Sequence, residues 1–347
     1  MKLGVNVGYW GFGLTAADQL DLARTAEELG YDSLWAAEAY GSDAATVLAW
    51  LAAGTTTIKL GSGIFQIPAR SAAMTAMTAA TIDQLSGGRM LLGLGTSGPQ
   101  VSEGWHGVRF AKQLQRTREY VAVVRMALAH QKVEFHGETI QLPLPDGPGK
   151  VLKLTIRPVQ DRIPIFLAVL GPKNVALAGE IADGWLPVFF SPEHTAELRV
   201  PLEDGAARGG RSLDGFRICP TVNVMIGDDV DVARNAMRPM LSLYVGGMGS
   251  REQNFYNRLV SSYGFAREAE QVQELYLAGR KAEAMLALPD DLIDAVSIAG
   301  SPQRAKERIR AFADAGVETL LVSPMVFDPA ERKEQLRLVA DLTMEAL

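Results

Sequence analysis

Glu38 closes the apolar run 33–37, so a carboxylate stands where a buried strand would meet solvent. In that position it can handle a proton, or it can serve as a structural acceptor for backbone amides. His106 lies among glycines beside Trp105 and close to Glu103, and an imidazole there can transfer protons or simply pack. Two further stretches offer backbone rather than side chains. Gly93-Leu94-Gly95-Thr96-Ser97-Gly98 fits G-x-G-x-x-G, but Pro99 and an irregular stretch follow it where a dinucleotide site needs a helix. Its bare backbone, with the amides and hydroxyls of Thr96, Ser97 and Gly98, suits a flat ring and an anionic tail better than a nicotinamide dinucleotide. Gly171-Pro172-Lys173-Asn174 opens a helix, whose amino end with a lysine beside it is an anion site; a plain surface role for Lys173 is equally open.

These groups need a scaffold that brings strand ends together. Strand-like runs at 3–7, 33–37, 58–64, 90–95, 163–168, 184–188, 216–226 and 319–323 alternate with helical patterns throughout. Such alternation gives a parallel sheet covered by helices, and eight repeats predict an α/β fold of the (β/α)8 TIM-barrel type. Two insertions interrupt the minimal pattern: an irregular one at 100–113 after strand 4 and a helical one at about 246–294 after strand 7. No linker breaks the alternation, so residues 1–347 read as one domain. Catalytic groups of such barrels gather at the carboxyl ends of the strands, where Glu38, the 93–98 loop and the 171–174 loop all fall.

Composition narrows the function. Of 347 residues 48% are apolar, enough for a full core, and a net charge of −6 with no basic run argues against nucleic acid. The single cysteine, Cys219, cannot form an internal disulfide and reads as a small buried hydrophobe. No uncharged run approaches the roughly 20 residues of a membrane span, and the chain passes straight into its first strand, so a cytoplasmic protein is expected. No metal-ligand spacing, nucleophile elbow or P-loop is visible. His130, His136 and His194 fall at helix ends or turns and are expected to be solvated.

The order from Leu60 to Pro99, through Gly61-Ser62-Gly63-Ile64, Ser86-Gly87-Gly88-Arg89 and the 93–98 loop, resembles the luciferase-like monooxygenase superfamily, and most of all its coenzyme F420-dependent branch. The likeness continues through Glu27-Glu28-Leu29-Gly30-Tyr31, Gly171-Pro172-Lys173-Asn174 and Gly179-Glu180-Ile181-Ala182-Asp183-Gly184. It implies an oxidoreductase that moves a hydride between deazaflavin coenzyme F420 and a small organic substrate, with an FMN-dependent oxygenase as the alternative. It further implies a non-prolyl cis peptide at Gly63-Ile64 supporting the ring, Glu38 near the reactive part of the coenzyme, and the 96–98 and 171–174 loops around its phosphate-bearing tail. A homodimer is implied as well. The sugar-phosphate branch has a histidine after the acidic residue and a lysine at the end of strand 6. Here Ala39, Tyr40 and Phe189-Phe190-Ser191 stand instead, and with Tyr9, Trp10, Phe12 and Trp105 they suggest a less charged, more aromatic substrate pocket or further core.

Overall fold

The structure is a computed structural model and describes residues 1–8, 14–249, 251 and 253–347. Tyr9, Trp10 and Phe12 therefore lie outside the described residues. Eight parallel strands form the frame: β1 (Lys2–Gly8), β2 (Ser33–Ala36), β3 (Lys59–Ser62), β4 (Met90–Gly95), β5 (Ile165–Leu167), β6 (Gly184–Trp185), β7 (Thr221–Ile226) and β8 (Thr319–Pro324). Each pairs with the next up to β6. Past β6 the chain at Arg217–Ile218 and Thr221 takes up the pairing, and β7 pairs with β8 and β8 with β1, which closes the ring.

Three elements differ from the sequence expectation. The 58–64 run stops at Ser62, and Phe65–Gln66 forms a separate short pairing with β4. The 216–226 run is split around Pro220, which has no amide hydrogen to give to a ladder. A further strand, Ser297–Gly300, lies against β7 just beyond the helical insertion. The 100–113 insertion also contains a short helix, α4, noted below.

Among the described residues seven α-helices precede β7 in order: α1 (Ala16–Glu28), α2 (Ala44–Gly54), α3 (Ala72–Ser86), α4 (Pro99–Gly104), α5 (Gln113–Leu128), α6 (Pro172–Ile181) and α7 (Thr195–Arg208). Their starts are written in the sequence. Thr15 and Asp18 make a capping box, Asp43 caps α2, Ser71 caps α3, and Gly87 ends α3 in the left-handed region at φ 70°. None of the described helices is long and apolar enough to cross a membrane.

The barrel interior is packed by Trp35, Leu91, Phe166, Leu186, Cys219 and Leu321. Trp35 and Phe166 meet edge to face at 5.2 Å. Gly61 makes room for this: a Cβ there would sit 2.2 Å from the Trp35 ring. Cys219 is fully enclosed, and burial pushes its thiol up to about 12. A second core, containing Phe189, Met237, Leu241, Val260 and Tyr263, builds the helical insertion and rests on Val188, Met225 and Met325 at or beyond the ends of β6, β7 and β8. The insertion thus caps the β6–β8 side of the barrel mouth.

Candidate active site at the carboxyl ends of the strands

The carboxyl ends of β2 to β5 lie outside that cap, and they carry the predicted site. Backbone meets backbone closely here. The Ser62 hydroxyl donates to the Gly93 carbonyl at 2.8 Å and accepts from the Gly93 amide at 2.9 Å. A Cβ on Gly93 would lie 2.0 Å from the Ser62 carbonyl oxygen, so only glycine fits that crossing. The Gly63-Ile64 peptide bond is cis, as the resemblance implied, and the Gly63 amide donates to Ala36 at 2.8 Å. Ile64 packs on the barrel interior, and its Cδ1 lies where a Cβ on Gly95 would come within 2.6 Å. Glu38, Gly63, Ile64 and the start of the 96–98 loop are thereby brought to one patch.

Glu38 is held from every side. Arg70 forks onto its carboxylate, with the second guanidinium bond at 2.8 Å, and the Ala44 and Gln66 amides donate to it at 3.1 and 3.2 Å. The side chain is only 6% exposed, and Arg70 also pairs with Asp43 and lies over the Phe65 ring. Four donors hold this carboxylate in one orientation. Gln66, fully buried beside it, gives its amide nitrogen to the Ala39 carbonyl at 2.8 Å while its Oε1 has no partner. Neither Arg70 nor Gln66 stood out in sequence. The available signal was a lone arginine in an otherwise uncharged stretch, next to Pro68 and just before the cap of α3.

Around this patch lie the two loops. Ser97 sits in the left-handed region at φ 58°, and Thr96 makes only a 3.5 Å contact to the Ser97 carbonyl. A Cβ on Gly98 would touch nothing but the Gln100 side chain at 3.7 Å, and one on Gly171 would meet nothing within 4 Å. Both glycines therefore border open space. Ala168 bonds to Leu94 at 2.9 Å, tying the 171–174 loop to the 96–98 loop through β4 and β5. The Asn174 side chain folds back on the Leu170 carbonyl at 3.0 Å, and the Asn174 and Val175 amides close the first turn of α6 on the Gly171 carbonyl at 3.1 and 3.0 Å. Pro172 begins the helix, and Lys173 turns into a cleft on the outer side of the barrel.

His106 is in a different setting. Its amide bonds back to Val101 at the end of α4, and its Nε2 is enclosed without a partner. Within this insertion Ser102 bonds Val108 and Phe110 bonds Glu103, while Lys112 at its end pairs with Glu138 of the hairpin after α5. The solvated reading of the other histidines holds only for His136, which is 71% exposed. His194 stacks on Tyr263 at 4.4 Å and bonds Ser191 at 3.1 Å, while the ring nitrogens of His130 are out of contact with solvent.

This geometry can now be set beside known proteins. The model of the luciferase-like monooxygenases matches residues 6–319. The chain belongs to the luciferase-like monooxygenase family. A Mycobacterium tuberculosis protein named as a coenzyme F420-dependent oxidoreductase is 43% identical, over 99% of each chain. The 5,10-methylenetetrahydromethanopterin reductase of Archaeoglobus fulgidus is 31% identical over 91% of each. Among solved structures of this luciferase-like fold, the coenzyme F420 dependent tetrahydromethanopterin reductase of Methanopyrus kandleri superposes with a TM-score of 0.84 at 26% identity, covering 99% of this chain and 98% of that one.

Proposed function

We propose that the chain is a coenzyme F420-dependent oxidoreductase acting on a small apolar organic substrate. Relatives named for this coenzyme that match almost the whole length support the reading. The observation that carries it is the open patch over β2 to β5, where Gly98 and Gly171 border free space and the buried Gln66 Oε1 lacks a donor. A planar deazaflavin with ring NH groups and an anionic tail fits such a patch. When bound, the coenzyme supplies a two-electron hydride carrier that does not activate oxygen.

The protein's part is placement and exclusion of water. Ile64 gives the ring an apolar seat, Gly63 keeps the strand end bare, and Gln66 accepts a ring NH. Thr96, Ser97 and Gly98 hold the chain leaving the ring, while the amides of Gly171 and Lys173 take its phosphate. Glu38 acts through Arg70 to fix the loop that carries Gln66, and of His106, whose Nε2 is enclosed, only Nδ1 is left to exchange a proton at the mouth. For the facing wall we take the aromatic cluster at the border of the insertion, where Phe189 meets Tyr244 and Tyr256 edge to face at 5.5 and 5.9 Å. An uncharged aromatic wall favours an apolar carbonyl, enone or imine over a sugar phosphate.

The test is anaerobic. Reduced F420 mixed with the protein and a panel of such acceptors is expected to be reoxidised only when an acceptor is present. No reoxidation of reduced F420 with any acceptor, together with consumption of oxygen by reduced FMN and substrate in a parallel aerobic assay, would make the protein a flavin monooxygenase.

A further inference from the structure

The closing helix, Pro329–Ala346, has its amino end at the barrel mouth, because β8 delivers the chain there. Arg332, Gln335, Leu336, Val339 and Thr343 recur at helical spacing along its core-facing stripe. The last four are buried, and Gln335 grips the end of β7, accepting the Ile226 amide at 2.7 Å and donating to the Ile226 carbonyl at 2.9 Å. Arg332 lies one turn nearer the mouth on the same face. Helical side chains lean toward the amino end, so its guanidinium is directed at the rim beside β7 and β8.

Other shielded arginines are compensated. Arg70, Arg125 and Arg234 pair with Glu38, Asp183 and Asp294, and Arg89 is spent on the Ala52, Thr55 and Ile58 carbonyls. Among the described residues Arg332, half-buried, makes no ion pair and no side-chain hydrogen bond, and its Nε is closed off from solvent without a partner. Burial pulls its pKa below the ordinary arginine value, with no carboxylate beside it to oppose the shift. The amino end of a helix, the positive end of its dipole, adds to the cost. The helix amides are themselves taken, since Asp328 accepts those of Ala330 and Glu331 at 2.9 and 3.0 Å. An anion brought to the guanidinium would offset every one of these costs. Phe327, 76% exposed in the loop just before the helix, puts apolar surface on the same rim.

We infer that Arg332 anchors an oxyanion site on the β8 side of the rim, which takes the carboxylate of a ligand with an apolar body. The planar fork of a guanidinium matches a carboxylate bidentately. A free inorganic oxyanion shares that chemistry and is the other source. The site lies across β1 from the patch over β2 to β5, and the inference does not rest on the coenzyme reading.

Thermal unfolding of the protein at matched ionic strength tests this with three probes: benzoate, the uncharged benzamide, and inorganic phosphate. Benzoate is expected to raise the midpoint saturably, by about 2 °C at tenfold its dissociation constant, while benzamide leaves it unchanged. Phosphate matching benzoate would keep the site and make its occupant a free oxyanion. In Arg332→Met the rise should vanish, while the midpoint without probe stays at or above the wild-type value because an unpaired charge has gone. Arg332→Lys, which keeps the charge and loses the fork, should retain a weaker rise. No oxyanion response in wild type, an equal response to benzamide, or a response that survives Arg332→Met overturns the inference. So does a midpoint several degrees below wild type in Arg332→Met, which would make Arg332 a structural strut. The assay contains no coenzyme, so its failure leaves the F420 reading standing.

Discussion

Glu38 carries the most specific residue-level expectation. Its four donors leave it as the acceptor that Arg70 is built around, so Glu38→Gln should disturb a loop more than a proton path. Removing one partner of such a shielded pair is costly because the other charge stays behind. The variant is expected to lose about 1–3 kcal/mol of stability. Coenzyme affinity and turnover should fall together by roughly tenfold, with the shape of the pH–rate profile unchanged. Thermal unfolding, binding and pH kinetics together check this; a large loss of turnover at unchanged affinity, with one pH limb gone, would assign Glu38 the proton instead. The place of Glu38 was legible because an acidic residue ended an apolar run. Its partner was not, since Arg70 lies 32 residues away and periodicity carries no information about a contact across two strand ends.

Two carboxylates, Glu119 buried and Glu27 half-buried, brace the connections at the scale of elements. Glu119 of α5 accepts the Glu138, Thr139 and Ile140 amides and the Thr139 hydroxyl, pinning the hairpin that follows α5. These bonds outweigh burial and hold its carboxyl down at about 2. Glu27 does the same for the turn before β3, also at about 2, with the Thr56, Thr57 and Ile58 amides. Because the folded value lies below the ordinary 4.5, each contributes stability that is complete above about pH 5 and is lost as pH falls toward 2. For Glu119 this amounts to about 3 kcal/mol. Denaturant unfolding between pH 6 and pH 3 should show the loss in wild type and a smaller one in Glu119→Gln; identical slopes would remove Glu119 from the account. Elements with strong periodicity or caps, such as α1 and α3, could be read in sequence. The strand Ser297–Gly300 could not, because four fully buried residues show no alternation to read.

At the scale of the whole molecule, an apolar surface is left bare on two neighbouring helices. The outward faces of α2 and α3 carry Trp50, Met74, Met77 and Leu85, all about half exposed or more. The only charge in these two helices is Asp83, which is buried. A two-helix face of this kind suits a second copy of the chain, packed helix on helix about a two-fold axis. Met77→Glu is expected to convert a dimer into a folded monomer, as read by sedimentation equilibrium; a wild type already monomeric at high concentration would contradict the assignment. The barrel itself was legible as eight alternations, and the luciferase-like family as a run of motifs. The capping of only one half of its mouth was not legible, because it depends on where the insertion folds back rather than on where it begins.

The central claim is the identity of the coenzyme, and it is decided most directly by equilibrium binding of F420 and FMN to the purified protein at matched concentrations. The account expects F420 to bind tightly, with its ring fluorescence quenched, and FMN to bind weakly. Tight FMN binding with weak F420 binding would contradict it and place the protein with the flavin-dependent oxygenases of the same barrel.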